Sequence, residues 1–421
     1  MTAGQWNRGT ITYLVGYFAG GAGAAGLVFS LGKLAYDMSG RELDLGLLGL
    51  AEFAPAAFLV VVTGSVADRF ERRWVASAGA LGEAVTAVLV TAYVATTPTA
   101  VGPLFGLALM LGVARAFVAP SSRSLPADLV TSDKLPWLVA RWTIVFQVAL
   151  VAGPILAGVL YAVDVRAPFA ACAVLFLAAS VAFALLPPPL DPLRRVEVPA
   201  GRRLHDAFEG LRLVRHQPIL LGAISLDLFA VLFGGAVALL PAIADERLGV
   251  GPVALGWLRA APGFGAASMM LLLAIRPVRT HVGPILLSAV AVFGVATIVL
   301  GATRSYVVAF VALVVLAAAD ALSVFIRVTL VPLVTPASAR GRVLAVENVF
   351  IGASNELGAF ESGVTGQLLG PGMAVGLGGI ATVAVAGLWW RLFPALRNVD
   401  HFPVPPPADA PAAPPAEVSR S

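Results

Sequence analysis

Cysteine is nearly absent: Cys172 is the single one in 421 residues. An intramolecular disulfide is therefore impossible, and a cysteine-based metal cluster would have no ligands. Histidine is scarce too. His205, His216, His281 and His401 fall between apolar runs or in the tail, without metal-site spacing, so no resident metal is expected. Charged residues make up 12% of the chain, against about a quarter in a soluble protein. No Gly-rich loop ends in Lys-Ser or Lys-Thr, which excludes direct ATP use through a P-loop. Gly20–Gly23 and Gly376–Gly379 lie inside apolar runs and read as helix-packing surfaces, not nucleotide fingerprints. No catalytic constellation and no cofactor are expected.

What the chain has in abundance is apolar surface: 59% hydrophobic residues, with a mean hydropathy of +0.89. No soluble core buries that much, so lipid must be the solvent for most of it. The pattern predicts an all-α membrane protein with twelve transmembrane helices, at about 10–36, 45–66, 73–95, 101–122, 137–163, 167–187, 218–243, 253–275, 282–301, 305–332, 343–369 and 373–393. The first follows Arg8 and is too long for a signal-peptide core, so it is expected to stay as a span.

Basic residues between the spans fix an orientation. Arg8, Arg69, Arg72, Arg73, Arg123, Lys134 and the arginines of 194–215, 276–279, 340–342 and the tail share one side, about nineteen cations against about four on the other. That places both termini in the cytoplasm, with the chain in an inner or plasma membrane. The same placement accounts for the net charge of +4 without nucleic acid. The longest loop, 188–217, opens with Pro187-Pro-Pro189 and ends in a stretch, 205–215, expected to be an amphipathic helix on the inner membrane surface. It divides the chain into an N-terminal six-helix half (1–187) and a C-terminal six-helix half (218–395), followed by a Pro- and Ala-rich tail (396–421) expected to be disordered. The halves echo each other: Arg123-Ser-Leu-Pro-Ala-Asp-Leu129-Val-Thr131 closes span four, and Arg327-Val-Thr-Leu-Val-Pro-Leu333-Val-Thr335 closes span ten.

The stretch between spans two and three, Gly64-Ser-Val-Ala-Asp68-Arg69-Phe-Glu71-Arg72-Arg73, packs five charges between two apolar runs. It resembles the loop between the second and third helices of the major facilitator superfamily. Arg123–Val130, Gly153-Pro154 with Ala157-Gly158, Glu209–Arg215 and Arg340–Ala345 extend the resemblance over about 10–395, most closely to the siderophore- and macrolide-efflux branch. The resemblance implies the twelve-helix fold with two pseudo-symmetric halves and an alternating-access mechanism. Gly153, Pro154 and Gly158 resemble an antiporter motif, which implies export; Ala149 and Ala157 stand where that motif usually has glycine. In the loop, Gly64 would allow close helix approach, Arg69 and Arg73 add cytoplasmic charge, and Arg72 is implied to pair with Asp128. Asp68 would face the positive start of span eleven near Ser338–Arg342, latching the halves together. The second half has only Ala274-Ile-Arg276 in place of this loop, so the latch is one-sided.

Charges inside spans are costly and read as functional candidates. Arg115, Asp227 and Asp320 fall near mid-membrane, with Arg327 further along span ten. They are expected either to meet substrate or protons, or to form a buried pair that only fixes packing. Glu52 and Glu361 are expected at similar depth on spans two and eleven, with Lys33 beside them and Glu356 and Glu347 on the same helix as Glu361. Glu83 has no assigned role, and Arg141 is expected to reach the inner surface. The expected activity is export of a small hydrophobic or siderophore-like molecule by a monomer, coupled to protons or another ion. The alternatives are an uptake symporter for a small organic solute and a non-transporting scaffold or sensor of the same fold.

Overall fold

The computed structural model describes residues 6–190, 209–337 and 339–403; the side chains of 60–62, 64, 65, 67 and 68 lie outside that description. Its long helices are α1 (Arg8–Ser39), α2 (Glu42–Arg69), α3 (Arg72–Ala95), α4 (Gly102–Ser124), α5 (Leu135–Val163) and α6 (Ala167–Ala184), then α7 (Pro218–Phe233), α8 (Pro252–Ile275), α9 (Val282–Ala302), α10 (Tyr306–Val334), α11 (Arg340–Leu369) and α12 (Pro371–Leu392). Local chemistry sets several of these boundaries. Asn7 accepts from the Thr10 amide at 2.7 Å while the Thr10 hydroxyl accepts from the Asn7 amide at 3.1 Å, a capping box that starts α1. Gly40, at φ +60°, ends it. Proline stands in the first two positions of α4 to α8 and of α12, where its missing N–H costs nothing.

Ten helices among the described residues, counting α7 with its continuation to Arg247, are long and apolar enough to cross a membrane. The other two long ones, α2 and α11, pack against each other. In the first half α1 packs on α5 and α6, α3 on α4 and α6, and α2 on α4. In the second, α7 packs on α11 and α12, α9 on α10 and α12, and α8 on α10. Adding six to each first-half pairing gives its second-half counterpart, so the twelve helices form two pseudo-symmetric six-helix halves. The halves meet through α5 with α8 and α2 with α11, two contacts that the same operation interchanges.

The cross-half contacts concentrate at the end of the bundle away from the termini, the far end. Phe29, Tyr36, Leu45, Leu240, Ile243 and Leu258 belong to one buried cluster there, drawn from both halves. Tyr36 on α1 hydrogen-bonds Glu246 beyond α7. Gly158 and Gly256 bring α5 and α8 together so closely that a β-carbon on Gly158 would stand 2.6 Å from the Pro252 carbonyl. Between α5 and α8 the side-chain bonds reach as deep as Gln147, whose amide donates to the Gly263 carbonyl at 3.0 Å. Toward the termini, Phe58 on α2 and Val349 on α11 are 84% and 65% exposed.

Two expectations from sequence need correction, for span seven and for the start of the tail, and the central loop is defined more closely. Span seven is not one continuous helix: α7 breaks at Gly234-Gly235, then passes through a 3-10 turn and a short helical turn into a π-turn ending at Arg247. A β-carbon on Gly235 would stand 2.4 Å from the Gly358 carbonyl, so α11 presses directly into the break. The helix in the central loop covers 209–216 among the described residues, and one face of it packs on protein. Val214 joins the second-half core, and Gly210 abuts the backbone of Arg342. The start of the tail is ordered: Leu396 is fully buried and Phe402 meets Phe325 edge-on at 6.5 Å. Residues 191–208 and 404–421, with the loop and tail expectations that fall on them, lie outside the described residues.

Candidate functional site

The charged side chains within the helices form three clusters, and their grouping differs from the one expected. The first straddles the halves. A β-carbon on Gly112 would lie 1.9 Å from the Glu52 carbonyl oxygen, so α4 and α2 touch backbone to backbone there. One turn on, Arg115 shares that face of α4 and forms an ion pair with Glu52. Glu83 on α3, 3% exposed, stands 4.0 Å from the Arg115 Nε on the other side. From the second half, Glu356 on α11 reaches Gly49 of α2, and Arg259 on α8 donates to the Val237 carbonyl at 2.8 Å. Glu356 interacts electrostatically with Glu52, Arg115 and Arg259. Neither Glu356 nor Arg259 has an ion-pair partner within 4.0 Å among the described residues. Each half thus presents one carboxylate and one guanidinium to the seam, paired in the first half and unpaired in the second.

The second cluster lies inside the second half. Arg327 on α10 meets Asp227 on α7 at 2.6 Å and Glu347 on α11 at 3.8 Å, with all three side chains no more than 7% exposed. Asp320 shares a small cavity with Asp227 but has no ion-pair partner among the described residues. Arg327 Nε and Glu347 Oε1 are buried without a hydrogen-bond partner, so the network is only partly satisfied in this conformation. The third cluster is near the far end, where Lys33 pairs with Asp37 four residues on and Tyr161 of α5 donates to Asp37 at 2.8 Å.

This geometry revises the expected groupings. Arg115 is the partner of Glu52 and not of Asp227 or Asp320; the cation facing those two carboxylates is Arg327. Glu361 is not level with Glu52. The contacts of Gly46 with Ala359, Gly49 with Glu356 and Phe53 with Gly352 set an antiparallel register that puts Glu361 about 12 Å further toward the far end, at 1.5 Å per residue. The bond it makes within its own helix is through its backbone carbonyl, which accepts from the Thr365 hydroxyl at 2.9 Å. Lys33 joins neither glutamate.

A model described as the Major Facilitator Superfamily matches residues 13–285. The chain belongs to the Major Facilitator Superfamily. Its long apolar helices make it a multi-pass membrane protein of that superfamily. A curated relative, the uncharacterised superfamily transporter YfiS of Bacillus subtilis (strain 168), is 28% identical over 245 residues. That match spans 55% of this chain and 55% of the relative, so the chain spans about half the length of the curated relative it matches. Among solved structures, the nucleoside transporter NupG superposes with a TM-score of 0.72 at 14% identity, covering 93% of this chain and 100% of that one. The D-xylose-proton symporter gives 0.68 at 16%, covering 92% and 98%. These similarities are likenesses of fold.

The residues implied by the superfamily resemblance sit as follows. Arg72 and Asp128 form an ion pair at 2.8 Å, within the first half. Arg73 bonds Glu71 at 2.7 Å and the Leu186 carbonyl at 2.6 Å, tying the start of α3 to the end of α6. Arg69 is the exposed last residue of α2. The side chains of Gly64 and Asp68, and the whole of Ser338, lie outside the described residues. Within the antiporter-like segment, Gly153 abuts the Ala22 carbonyl of α1, Pro154 lies inside α5, and Gly158 faces α8. Ala149 and Ala157, the two departures from that motif, meet glycines on α1: Gly21 at 3.1 Å and Gly26 at 3.5 Å from the positions their β-carbons would take.

Sequence reasoning passed over Arg259, Asp37 and Gly112. Arg259 was findable, as a charge inside an apolar span. Asp37 lay just beyond the expected end of span one. Gly112 carries no signal among 43 glycines.

Proposed function

We propose that this protein is a secondary active transporter that exports a small organic molecule by alternating access, with protons as the coupling ion. The carrying observation is the charged seam: Glu52 and Arg115 from one half, Glu356 and Arg259 from the other, at the level where the halves part. Intramembrane charge is expensive, and the unpaired guanidinium and carboxylate of the second half, set against the Glu52–Arg115 pair across a movable interface, supply sites for a polar substrate group and for a proton. Closure at the far end, through the shared apolar cluster and the Tyr36–Glu246 bond, fits one of two alternating states. The half-satisfied Arg327 network supports a second arrangement in which Asp320 and Glu347 exchange partners. Direction rests on the antiporter-like segment around Gly153-Pro154, and the preference for a hydrophobic or siderophore-like cargo on the resemblance to the efflux branch. The basic residues put the termini end in the cytoplasm, where Asp68 and the start of α11 would latch the other state.

The test is accumulation of a panel of dyes, macrolides and siderophores in an efflux-deficient host, with and without a protonophore, for the wild type, Glu356→Gln and Asp68→Asn. Export lowers accumulation, the protonophore restores it, and both variants lose the effect while remaining in the membrane. Raised accumulation of a solute would reverse the direction. Normal efflux by Glu356→Gln would remove the seam from the mechanism, and normal efflux by Asp68→Asn would remove the latch.

A further inference from the structure

A cavity of about 790 Å³ opens at the far end of the second half, away from the seam. Its rim is charged: Arg247 and Glu246 from the π-turn after α7, Arg304 from the loop between α9 and α10, and the first turn of α12. Below the rim the lining is apolar, with Ile298 on α9 and Met373, Leu377 and Ile380 on α12. Those three α12 side chains are 61%, 48% and 54% exposed, so the groove faces out of the bundle toward lipid. From Pro371 to Ile380 the helix descends about 14 Å at 1.5 Å per residue, close to the depth of one leaflet of a ~30 Å hydrocarbon core.

The rim is built to hold an anion. Arg247 is fixed in place by its bond to the Ala302 carbonyl at 3.0 Å and by packing on Gly372, and its buried Nε has no acceptor. Arg304 is exposed and has no carboxylate partner among the described residues. The start of α12 adds free backbone N–H groups and the positive end of a 22-residue helix. Glu246 is the one opposing charge on the rim, and its carboxylate already accepts the Tyr36 hydroxyl. Two guanidiniums and a helix start above an apolar slot one leaflet deep match a phosphate joined to an acyl chain.

We propose that this groove binds an anionic glycerophospholipid of the adjoining leaflet, with its phosphate on Arg304, Arg247 and the start of α12 and an acyl chain along Leu377 and Ile380. Because Glu246 links the rim to Tyr36 across the halves, a bound lipid steadies the closed far end. The occupied groove then belongs to one state of the transport cycle, so leaflet composition biases the cycle without touching the substrate path.

The test is thermal unfolding of the purified full chain in a neutral detergent, with phosphatidylglycerol, phosphatidylcholine of the same acyl chains, or glycerol 3-phosphate added. Phosphatidylglycerol should raise the melting temperature by several degrees, phosphatidylcholine by less than half as much, and glycerol 3-phosphate by nothing measurable. Arg304→Gln, at an exposed position, should keep the lipid-free melting temperature and lose the phosphatidylglycerol increment. Leu377→Trp, which fills the slot below an intact rim, should lose it as well. Equal shifts with both lipids, a full shift with glycerol 3-phosphate, or an undiminished increment in both variants would each overturn the proposal.

Discussion

Replacing Asp227 by Asn should be among the most damaging single changes of charge in this protein. Asp227 and Arg327 meet at 2.6 Å with side chains 7% and 3% exposed. Removing one partner of so buried a pair leaves an uncompensated cation, at a cost of about 3–5 kcal/mol. Glu347 offsets that charge only in part unless it moves, because it stands 3.8 Å away, beyond hydrogen-bond distance. The internal control is Asp128→Asn, which breaks the Arg72 pair at 28% and 23% exposure; water softens that loss to about 1 kcal/mol or less. Unfolding of the two purified variants beside the wild type therefore reads the difference that burial makes. The double variant Asp227→Asn/Arg327→Gln, which removes both charges, should recover much of the stability. Transport by that double variant then separates the two readings of the pair: restored flux marks a packing device, and absent flux at restored stability marks a working part. An Asp227→Asn cost no greater than that of Asp128→Asn would refute the assignment of burial as the controlling term.

Further outcomes follow from the seam and the far end. Gly112→Ala places a methyl 1.9 Å from a backbone carbonyl that cannot rotate away. It should cost about 1–3 kcal/mol and reduce transport, whereas unchanged unfolding and flux would show that α4 and α2 can separate freely. Arg259→Gln should abolish flux with normal membrane insertion, and Arg259→Lys should keep part of it; flux equal to wild type in both would remove Arg259 from the substrate path. Tyr36→Phe deletes the bond to Glu246 across the halves. In a Cys172→Ala background carrying Leu45→Cys, it should raise labelling by a membrane-impermeant maleimide several-fold, and unchanged labelling would mean that the apolar cluster alone holds that end shut.

The spans and their pairing into halves were legible because hydropathy and loop charge are properties of whole segments, and lipid enforces them residue by residue. The break in α7 was not, although Gly234-Gly235 stood in plain view. Glycine pairs are common within membrane helices, and only the pressure of α11 at Gly358 turns this one into a break. Individual charges could be found as charges, but their partners could not. Assigning Arg115 to Glu52 depends on which faces of α2 and α4 touch, and that is decided by a glycine with no charge at all. Depth estimates failed for Glu361 for a related reason: counting from span ends ignores the stagger between helices, and a stagger of eight residues amounts to about 12 Å.

The close contact between α1 and α5 carries a lesson about reading motifs. At Ala149 and Ala157 the α5 segment carries alanine where the motif it resembles has glycine, and on the opposing helix Gly21 and Gly26 stand across from them. The quantity that matters is the combined thickness of two facing side chains, a sum to which either helix can contribute. Substitutions at such a pair can pass from one helix to the other in two steps that leave the interface unchanged, provided the thinning step comes first. A pattern search confined to α5 records this as decay of the motif. Measured across the interface, the same positions are intact, and Gly21→Ala joined with Ala149→Gly should leave unfolding and transport as in the wild type.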